Sequence, residues 1–305
     1  MEIENVSIIG LGALGVLFGT HLSKNMPKAN LRIIADSERI AKYRSENIYC
    51  NGELCDFNYI TPDESCSPCD LLIFAVKYND LPAAIKTAEN QVGPETVVLS
   101  LLNGISSEGL IGQALGIEKV LYSVAQGMDA VKLENSLTYK NMGMICFGGD
   151  FSALSREKAE AVRRFFVKTA LPHELVDDMQ KRLWGKFMLN VGVNQTVAVF
   201  EGDYGDIQES GEARETMIAA MREVIALSKA ENVNLTQTDL DYWLHILDGL
   251  NPRGKPSMRQ DLEAKRYSEL ELFAGTVLSI GKKRGLSFPV NQMLYDKIKA
   301  MESAF

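Results

Sequence analysis

The chain contains near its start the sequence Val6-Ser7-Ile8-Ile9-Gly10-Leu11-Gly12-Ala13-Leu14-Gly15. The first four residues predict a short buried strand, and an apolar helical stretch follows the last glycine. This is the pattern G-x-G-x-x-G between a strand and a helix, in which Gly10 permits a tight turn, Gly12 admits a pyrophosphate and Gly15 lets the helix pack on the strand. The N–H groups at the start of that helix would bind the phosphates. We therefore predict that the loop binds a dinucleotide through Gly10, Leu11, Gly12, Ala13, Leu14 and Gly15.

A second predicted strand, residues 31–35, supports this interpretation. Asp36 follows it directly and lies about 20 residues after the glycine loop, where a dinucleotide-binding fold has an acidic residue. A carboxylate at this place accepts a hydrogen bond from the ribose 2′-OH of NAD(H) and repels the 2′-phosphate of NADP(H). Arg32 and Arg39 lie close by in sequence and could rebuild a phosphate clamp. The residues alone thus favour NAD(H). The alternative to a nucleotide site is a glycine-rich turn in an ordinary α/β domain.

Bulk properties limit the class of protein. A length of 305 residues predicts about two domains, and 46% hydrophobic with 24% charged residues is typical of a soluble globular chain. No apolar run reaches the ~18 residues of a membrane span, and an acidic N-terminus leads straight into a strand, so we expect a cytoplasmic protein without a membrane partner. The net charge of −8 argues against nucleic acid as a partner.

The spacing of the cysteines and histidines does not indicate a metal site. Five cysteines in a chain of this kind argue against a disulfide framework. Cys66 and Cys69 form a C-x-x-C pair that Cys50 and Cys55 could complete as four zinc thiolates, but the spacing matches no zinc module that we can justify. No two histidines have the spacing of metal ligands. We therefore favour incidental thiols and predict no metal site.

The first half of the chain predicts a parallel sheet covered on both faces, since continuous apolar runs alternate with helical spacers. Residues 70–76 and 96–102 are such runs, and Gly93-Pro94 separates them by breaking the helix before the second. Residues 137–139 and 144–147 suggest a later antiparallel pair. Ligands of these sheets bind outside the carboxyl ends of the strands, where the glycine loop, Lys77 and Asn103 stand.

The second half changes character at Leu171-Pro172, after which no strand is predicted. Helical patterns cover residues 177–200, 209–231, 236–247, 258–284 and 289–301. The fold class is therefore α/β, with a Rossmann-type dinucleotide-binding domain at residues 1–172 and an all-helical domain at residues 173–305. We expect the active site in the cleft between the two domains.

Lys186, Asn190 and Asn194 follow one another at i, i+4 and i+8, so they share one face of the predicted helix 177–200. Their neighbours are largely apolar, and polar groups in such surroundings cost free energy unless they are paired. One interpretation is a lysine aimed into a cleft beside two amides that orient a bound acid. The other is a solvated stripe on an amphipathic helix, and the pattern leaves both open.

A second polar cluster reads Pro256-Ser257-Met258-Arg259-Gln260-Asp261, followed by Arg266-Tyr267-Ser268-Glu269. Ser257 with Gln260 fits an S-x-x-Q capping box, which by itself explains the serine. A serine at a helix start can also present its hydroxyl to an anion. Glu269 is predicted on a helix, where an exposed acid is the simplest interpretation.

Taken in order, these motifs resemble the ketopantoate reductase family (2-dehydropantoate 2-reductases). The resemblance rests on the glycine loop, Ala75-Val76-Lys77, Leu102-Asn103-Gly104, Trp184-x-Lys186-x-x-x-Asn190-x-x-x-Asn194 and Pro256-Ser257-Met258-x-x-Asp261 with Arg266-x-x-Glu269. Each motif is weak alone, but the ordered set is specific and spans nearly the whole chain. It implies a helical domain similar to the C-terminal domain of 6-phosphogluconate dehydrogenase.

The resemblance also implies a reaction, the reduction of 2-dehydropantoate to (R)-pantoate on the way to pantothenate and coenzyme A. By match, Lys186 donates the proton, and Asn190, Asn194 and Ser257 bind the substrate. Asn103 lies between nicotinamide and substrate. Lys77 lies near the cofactor, and Glu269 contacts the cofactor ribose or positions Lys186.

One departure from the family leaves the cofactor open, because the family commonly has an arginine for the 2′-phosphate of NADP(H) where this chain has Asp36. The family thus implies NADP(H), whereas Asp36 favours NAD(H). The expected partner is a small 2-oxo acid, and the chain is a monomer or a homodimer. The competing hypotheses are a reductase of another branched 2-oxo acid, a dinucleotide sensor without turnover and a purely structural α/β protein.

Overall fold

The computed structural model describes residues 1–149 and 152–305, which fold into two compact units, Met1–Met179 and Gln180–Phe305. The strands of the first unit are β1 (Val6–Ile9), β2 (Leu31–Ile34), β3 (Tyr49–Cys50), β4 (Glu53–Leu54), β5 (Tyr59–Ile60), β6 (Cys69–Phe74), β7 (Val92–Ser100), β8 (Val120–Gln126), β9 (Val131–Leu133), β10 (Ser136–Thr138), β11 (Met144–Gly148) and β12 (His173–Leu175). Its helices are α1 (Ala13–Asn25), α2 (Ser37–Glu46), α3 (Leu81–Ala88), α4 (Ser107–Leu115) and α5 (Ala153–Lys168).

The main sheet has the strand order β12-β11-β8-β7-β6-β1-β2-β5. The strands from β8 to β5 pair in parallel, whereas β11 is antiparallel to β8. Both faces are buried, since neighbouring residues such as Ile8 and Ile9 belong to different hydrophobic clusters. The strand order reverses at β1, which lies between β2 and β6, and such a switch point opens a crevice at the carboxyl ends of the strands. The predicted parallel sheet is confirmed.

The predicted antiparallel pair of residues 137–139 with 144–147 is wrong. β10 pairs with β9 and β3 in a separate four-stranded sheet of order β4-β3-β10-β9. β11 pairs instead with β8 and β12 in the main sheet. Each strand was visible in its local pattern, but its partner depends on contacts distant in sequence, which the pattern of one segment does not contain.

Gly93-Pro94 was predicted to separate a helix from the strand that follows. Both residues instead lie within that strand, β7. Thr96 Oγ accepts a hydrogen bond from Gly93 N–H at 2.9 Å and donates one to the Cys69 carbonyl at 2.6 Å. The pairing of β6 with β7 is irregular at this place. The Thr96 hydroxyl thus replaces backbone pairing between β6 and β7 at this place. As a result, β7 begins at Val92, before the apolar run that predicted it.

A strand does follow Pro172, contrary to the prediction. β12 pairs in parallel with β11, with Ile145 opposite His173. Its residues are only half-buried at the edge of the sheet, so they lack the apolar pattern of the central strands. The boundary predicted after residue 172 therefore falls before a strand of the first unit, and the compact unit continues to Met179.

The second unit is helical in its described residues. Its helices are α6 (Met179–Val199), α7 (Tyr204–Gln208), α8 (Glu212–Ala230), α9 (Gln237–Asp248), α10 (Ser257–Glu263), α11 (Ala274–Arg284) and α12 (Pro289–Glu302). Fully buried side chains from four of these helices form its interior, among them Met188, Met221, Val277 and Leu294. Of the helices that the structure describes, none combines the length and the apolar composition needed to cross a bilayer.

The single helix predicted over residues 258–284 is interrupted. After α10 the chain turns at Lys265, whose φ is +51°, and Arg266 N–H donates to the Asp261 carbonyl at 2.8 Å. A short 3₁₀ turn, Leu270–Leu272, precedes α11. Glu269 therefore lies between helices and not on one. The apolar periodicity continues across the break, which explains why the sequence predicted one helix.

Candidate active site

The glycine loop between β1 and α1 is built around two close backbone approaches. Gly10 has φ +95°, and a Cβ there would lie 2.6 Å from the Ala75 carbonyl oxygen. A Cβ on Gly15 would lie 1.9 Å from the Gly10 carbonyl oxygen. Both distances are too short for any side chain. These two glycines let the start of α1 pack against the ends of β1 and β6.

Gly12 has a different place in the loop. It is the N-cap residue of α1, it is exposed, and it offers no side chain to the helix N-terminus. A Cβ there would have the Ala75 carbonyl oxygen at 3.6 Å as its nearest neighbour, which is ordinary contact. First-turn N–H groups of a helix bind anions, and an uncrowded N-cap lets a phosphate approach them. The loop therefore fits the pyrophosphate of a dinucleotide.

Lys77 and Asn103 belong to the same edge of the sheet as the glycine loop. The last residues of β1, β6 and β7 are in register, with Phe74 opposite both Ile9 and Ser100. Lys77 follows β6 and is exposed, and Asn103 follows β7 and is half-buried. The first unit thus places both residues at the carboxyl ends of strands beside the switch point.

Asp36 lies exposed directly after β2 and has a structural role of its own. It is the N-cap of α2, where its carboxylate accepts a hydrogen bond from Arg39 N–H at 2.7 Å. The Arg39 guanidinium lies 3.5 Å from the other carboxylate oxygen. A carboxylate has lone pairs for more than one donor, so capping leaves Asp36 able to accept from a ribose.

Arg32 cannot complete a phosphate clamp. Its side chain is buried, and its guanidinium donates to the Ser67 carbonyl at 2.6 Å and to the Gln91 side chain at 3.4 Å. A buried arginine with these partners supports the chain before β6 and is not available to a ligand at the other end of β2. Of the two arginines considered for a 2′-phosphate clamp, only Arg39 remains a candidate.

The helix α6 contains Lys186, Asn190 and Asn194 as predicted, with the first two half-buried and Asn194 only 6% exposed. Asn194 Oδ1 accepts hydrogen bonds from Ser257 Oγ and from Met258 N–H, each at 3.2 Å. The structure therefore brings together two of the predicted substrate-binding residues, although more than sixty positions separate them in sequence.

The capping box predicted from Ser257 and Gln260 is wrong. The N-cap of α10 is Pro256, which has no side-chain cap, and Ser257 is the first helical residue. Gln260 donates from its amide to the Lys255 carbonyl at 2.8 Å instead. The first turn of α10 is capped from outside by the amide of Asn194, which a local motif cannot show.

We expect Asn194→Ala to destabilise the chain by about 1–2 kcal/mol, because it removes this cap and leaves the Met258 N–H without its acceptor. Asn194→Asp keeps an acceptor oxygen and is expected to recover most of the loss. Urea unfolding curves of the three proteins measure the difference. A loss in Asn194→Ala below about 0.5 kcal/mol would remove Asn194 from the support of α10.

The chain that leads to Glu269 is fixed by two pairs of residues that the sequence did not single out for this role. Arg266 donates from Nε to the buried Asp261 carboxylate at 2.8 Å, across the turn after α10. Ser268 donates from N–H and Oγ to the buried Glu302 carboxylate at 2.8 and 2.6 Å. Asp261 and Arg266 appear in the motif that we quoted, but their mutual spacing gave no sign that they fix the segment leading to Glu269.

The cysteines do not form one metal site. Cys50 and Cys55 are buried in one hydrophobic cluster, whereas Cys69 is buried in the cluster on the other face of the sheet, where Cys66 packs against it. Burial raises the pKa of the Cys69 thiol to about 11. The four-thiolate alternative is therefore excluded. Within residues 1–149 and 152–305, no group of three or more metal-ligating side chains is present.

Two family models match the chain, one for each unit. Residues 6–148 match the model described as ketopantoate reductase PanE/ApbA, and residues 178–302 match its C-terminal model. The chain belongs to the ketopantoate reductase family. The resemblance drawn from the motifs is confirmed, and with it the Rossmann-type unit and the helical unit.

Relatives of this ketopantoate reductase family member match over its whole length. A 2-dehydropantoate 2-reductase of Streptococcus pyogenes is 24% identical over 304 residues, 98% of each chain. A solved D-mandelate dehydrogenase with NADH and anilino(oxo)acetate has a TM-score of 0.86 at 18% identity, covering 98% of this chain and 99% of that one. A dimeric ketopantoate reductase from Staphylococcus aureus has a TM-score of 0.79 at 18% identity, with the same coverage. At these identities the solved structures show the fold alone.

Proposed function

We propose that this chain reduces 2-dehydropantoate to (R)-pantoate with a nicotinamide cofactor, a step toward pantothenate and coenzyme A. The contact between Asn194 Oδ1 and Ser257 Oγ supports the proposal most strongly. It joins Asn194, which lies on the same helix α6 as Lys186, to Ser257 at the start of α10, and so pairs two polar residues from separate motifs. A pair of this kind suits the carboxylate and hydroxyl groups of a small 2-oxo acid.

The reaction needs orientation and a proton donor from the protein. In our proposal Asn190, Asn194 and Ser257 bind the substrate, and Lys186 donates its proton to the ketone oxygen as that oxygen gains negative charge. A cationic donor aimed at this oxygen both stabilises the transition state and completes the product. The nicotinamide, when bound, supplies the hydride.

The other predicted site residues serve the cofactor in this scheme. The loop of residues 10–15 binds the pyrophosphate, Lys77 lies near the cofactor, and Asn103 separates nicotinamide from substrate. Glu269 contacts the cofactor ribose or positions Lys186.

The cofactor is proposed to be NADH. Asp36 is exposed at the carboxyl end of β2, where its negative charge would repel a 2′-phosphate. Arg32 does not offset that charge, because its guanidinium donates to the Ser67 carbonyl. The NADH named for the D-mandelate dehydrogenase is consistent with this preference within the same fold. Membership of the family remains the argument for NADPH.

Asp36→Arg tests the choice of cofactor. We expect the ratio of kcat/KM for NADPH over that for NADH to rise by about tenfold or more, since a repulsive charge becomes an attractive one. Asp36→Asn is the matched control, because it keeps an acceptor for the Arg39 N–H and removes only the charge. An unchanged ratio in Asp36→Arg would remove Asp36 from the cofactor site.

Steady-state oxidation of NADH and of NADPH, each with 2-dehydropantoate and with 2-oxoisovalerate, tests the activity itself. The proposal predicts rapid turnover of 2-dehydropantoate with one cofactor and poor turnover of 2-oxoisovalerate. Cofactor binding without turnover of any 2-oxo acid would favour a dinucleotide sensor. A lack of thermal stabilisation by either cofactor would favour a purely structural protein.

A second candidate is the reduction of another 2-oxo acid. The fold shared with a D-mandelate dehydrogenase favours adding the 2-oxo acid that corresponds to mandelate to the same assay. A kcat/KM for that acid above the value for 2-dehydropantoate would support the second candidate.

The dimer named for the Staphylococcus aureus protein favours a homodimer over a monomer here, which sedimentation equilibrium tests.

A further inference from the structure

The loop that presents Asn103 is closed at its base by buried serines. Ser100, the last residue of β7, donates from Oγ to Ser107 Oγ, at the start of α4, at 2.8 Å. Ser123 on β8 donates from Oγ to the Ser100 carbonyl at 2.8 Å and accepts from Ser100 N–H at 3.0 Å. These bonds join the two ends of the segment 101–106 to each other and to the neighbouring strand.

Glu108 completes this chain of hydrogen bonds. Glu108 is only 2% exposed, and its Oε2 accepts a hydrogen bond from Ser107 Oγ at 3.0 Å. Its Oε1 is buried without a well-formed hydrogen bond, although the backbone N–H groups of Glu108 and Ser123 lie close enough to stabilise the carboxylate in part. A buried carboxylate with one oxygen poorly paired is costly, whereas the protonated acid is tolerated.

We propose that Glu108 is a positioning residue for Asn103, and that its protonated carboxyl holds the segment 101–106 in the conformation that serves the cofactor. The role of Asn103 at the nicotinamide rests on the proposed function. The closure of the segment, in contrast, follows from hydrogen bonds that the structure shows among Ser100, Ser107, Ser123 and Glu108. Loss of the proton places a charge beside the segment and favours its opening toward water.

The titration of Glu108 lies near neutral pH. Burial raises the pKa of Glu108 from 4.5 to about 7, and hydrogen bonds from the backbone of Glu108, from Ser107 Oγ and from the backbone of Ser123 oppose the rise only in part. Because the closed segment binds the proton more tightly than an open one, closure is most stable below pH 4.5 and weakens as the pH rises to about 7. The ionisable groups on the elements packed against α4 are Lys86, Glu95, Glu118, Lys119 and Tyr122.

Hydrogen exchange on the cofactor-free chain tests closure without reference to activity. We expect protection of the segment 101–106, corrected for intrinsic exchange, to fall about tenfold between pH 6 and pH 8.5 in the wild type. Glu108→Gln is expected to abolish this pH dependence, because the amide does not titrate. Glu118→Gln, which changes an exposed acid on the neighbouring turn, is the matched control and keeps the wild-type dependence.

Cofactor dissociation constants over the same pH range test the link to Asn103. We expect the wild-type affinity to weaken with rising pH up to about tenfold, and the affinity of Glu108→Gln to change less than twofold. Equal exchange profiles in wild type and Glu108→Gln would overturn the proposal. So would pH-dependent exchange with a cofactor affinity that does not follow it.

These results separate the present proposal from the proposed function. Both pH effects without any turnover of 2-dehydropantoate would support the role of Glu108 and contradict the assigned reaction. Turnover with a pH-independent segment would do the reverse. Ser107→Ala provides a second variant, because it breaks the chain of hydrogen bonds without a change of charge and is expected to lower protection at pH 6.

Discussion

Lys186→Ala is expected to lower kcat by about three orders of magnitude and to change cofactor affinity little. The substitution removes the proposed proton donor and the positive charge that stabilises the developing oxyanion, and a positioned acid contributes about 10²–10⁴-fold. Stopped-flow measurement of NADH oxidation with saturating 2-dehydropantoate gives the rate, and a fluorescence titration gives the affinity for the cofactor.

Lys181→Ala is the matched control, because Lys181 lies on the same helix and forms an ion pair with Asp239 at 3.0 Å. Its loss is expected to change kcat less than twofold, since a partly exposed ion pair contributes little. A fall of less than tenfold in Lys186→Ala would show that Lys186 is not the proton donor. An equal fall in both variants would indicate damage to α6 and not lost chemistry.

Gly15→Ala is expected to weaken cofactor binding by more than about a hundredfold and to lower the free energy of unfolding by about 2 kcal/mol. The added methyl group would lie 1.9 Å from the Gly10 carbonyl oxygen, so α1 must move away from β1. That shift carries the helix N-terminus away from the position proposed for the pyrophosphate. Thermal shift with and without cofactor measures both effects together.

Gly12→Ala and Gly109→Ala separate these two effects. A Cβ on Gly12 makes only ordinary contact, so we expect near-normal stability but weaker cofactor binding, because the methyl group lies at the proposed phosphate site. A Cβ on Gly109 has no neighbour within 4 Å, so Gly109→Ala should leave cofactor binding unchanged and raise stability by about 0.5–1 kcal/mol, because Gly109 lies in α4. Equal destabilisation in Gly12→Ala and Gly15→Ala would contradict the packing role assigned to Gly15.

Local pattern predicted the parts of the fold that repeat within a few residues. The glycine loop, β1, β2 and the helix α6 follow from apolar periodicity and from glycine positions, and all four are present where the sequence placed them. The carboxyl ends of β6 and β7 likewise lie where Lys77 and Asn103 were expected. These features need no knowledge of distant contacts.

Features set by distant contacts could not be predicted. β12 is a half-buried edge strand, and its only signature is pairing with β11. Asn194 caps a helix that begins more than sixty positions later, so Ser257 resembled a local cap. Glu108 follows two serines and resembles an exposed acid in a first helical turn, and only the packed structure shows that its carboxyl is buried.

Transfer of deuterium from the cofactor to the substrate tests the proposed reduction directly. NADH deuterated at the nicotinamide carbon that donates the hydride is incubated with the enzyme and 2-dehydropantoate, and the product is examined by NMR. We expect pantoate with deuterium on the carbon that was the ketone, and no such product from Lys186→Ala within the same time. Consumption of 2-dehydropantoate without deuterium at that carbon, or no consumption with either cofactor, would show that the chain does not reduce 2-dehydropantoate by hydride transfer.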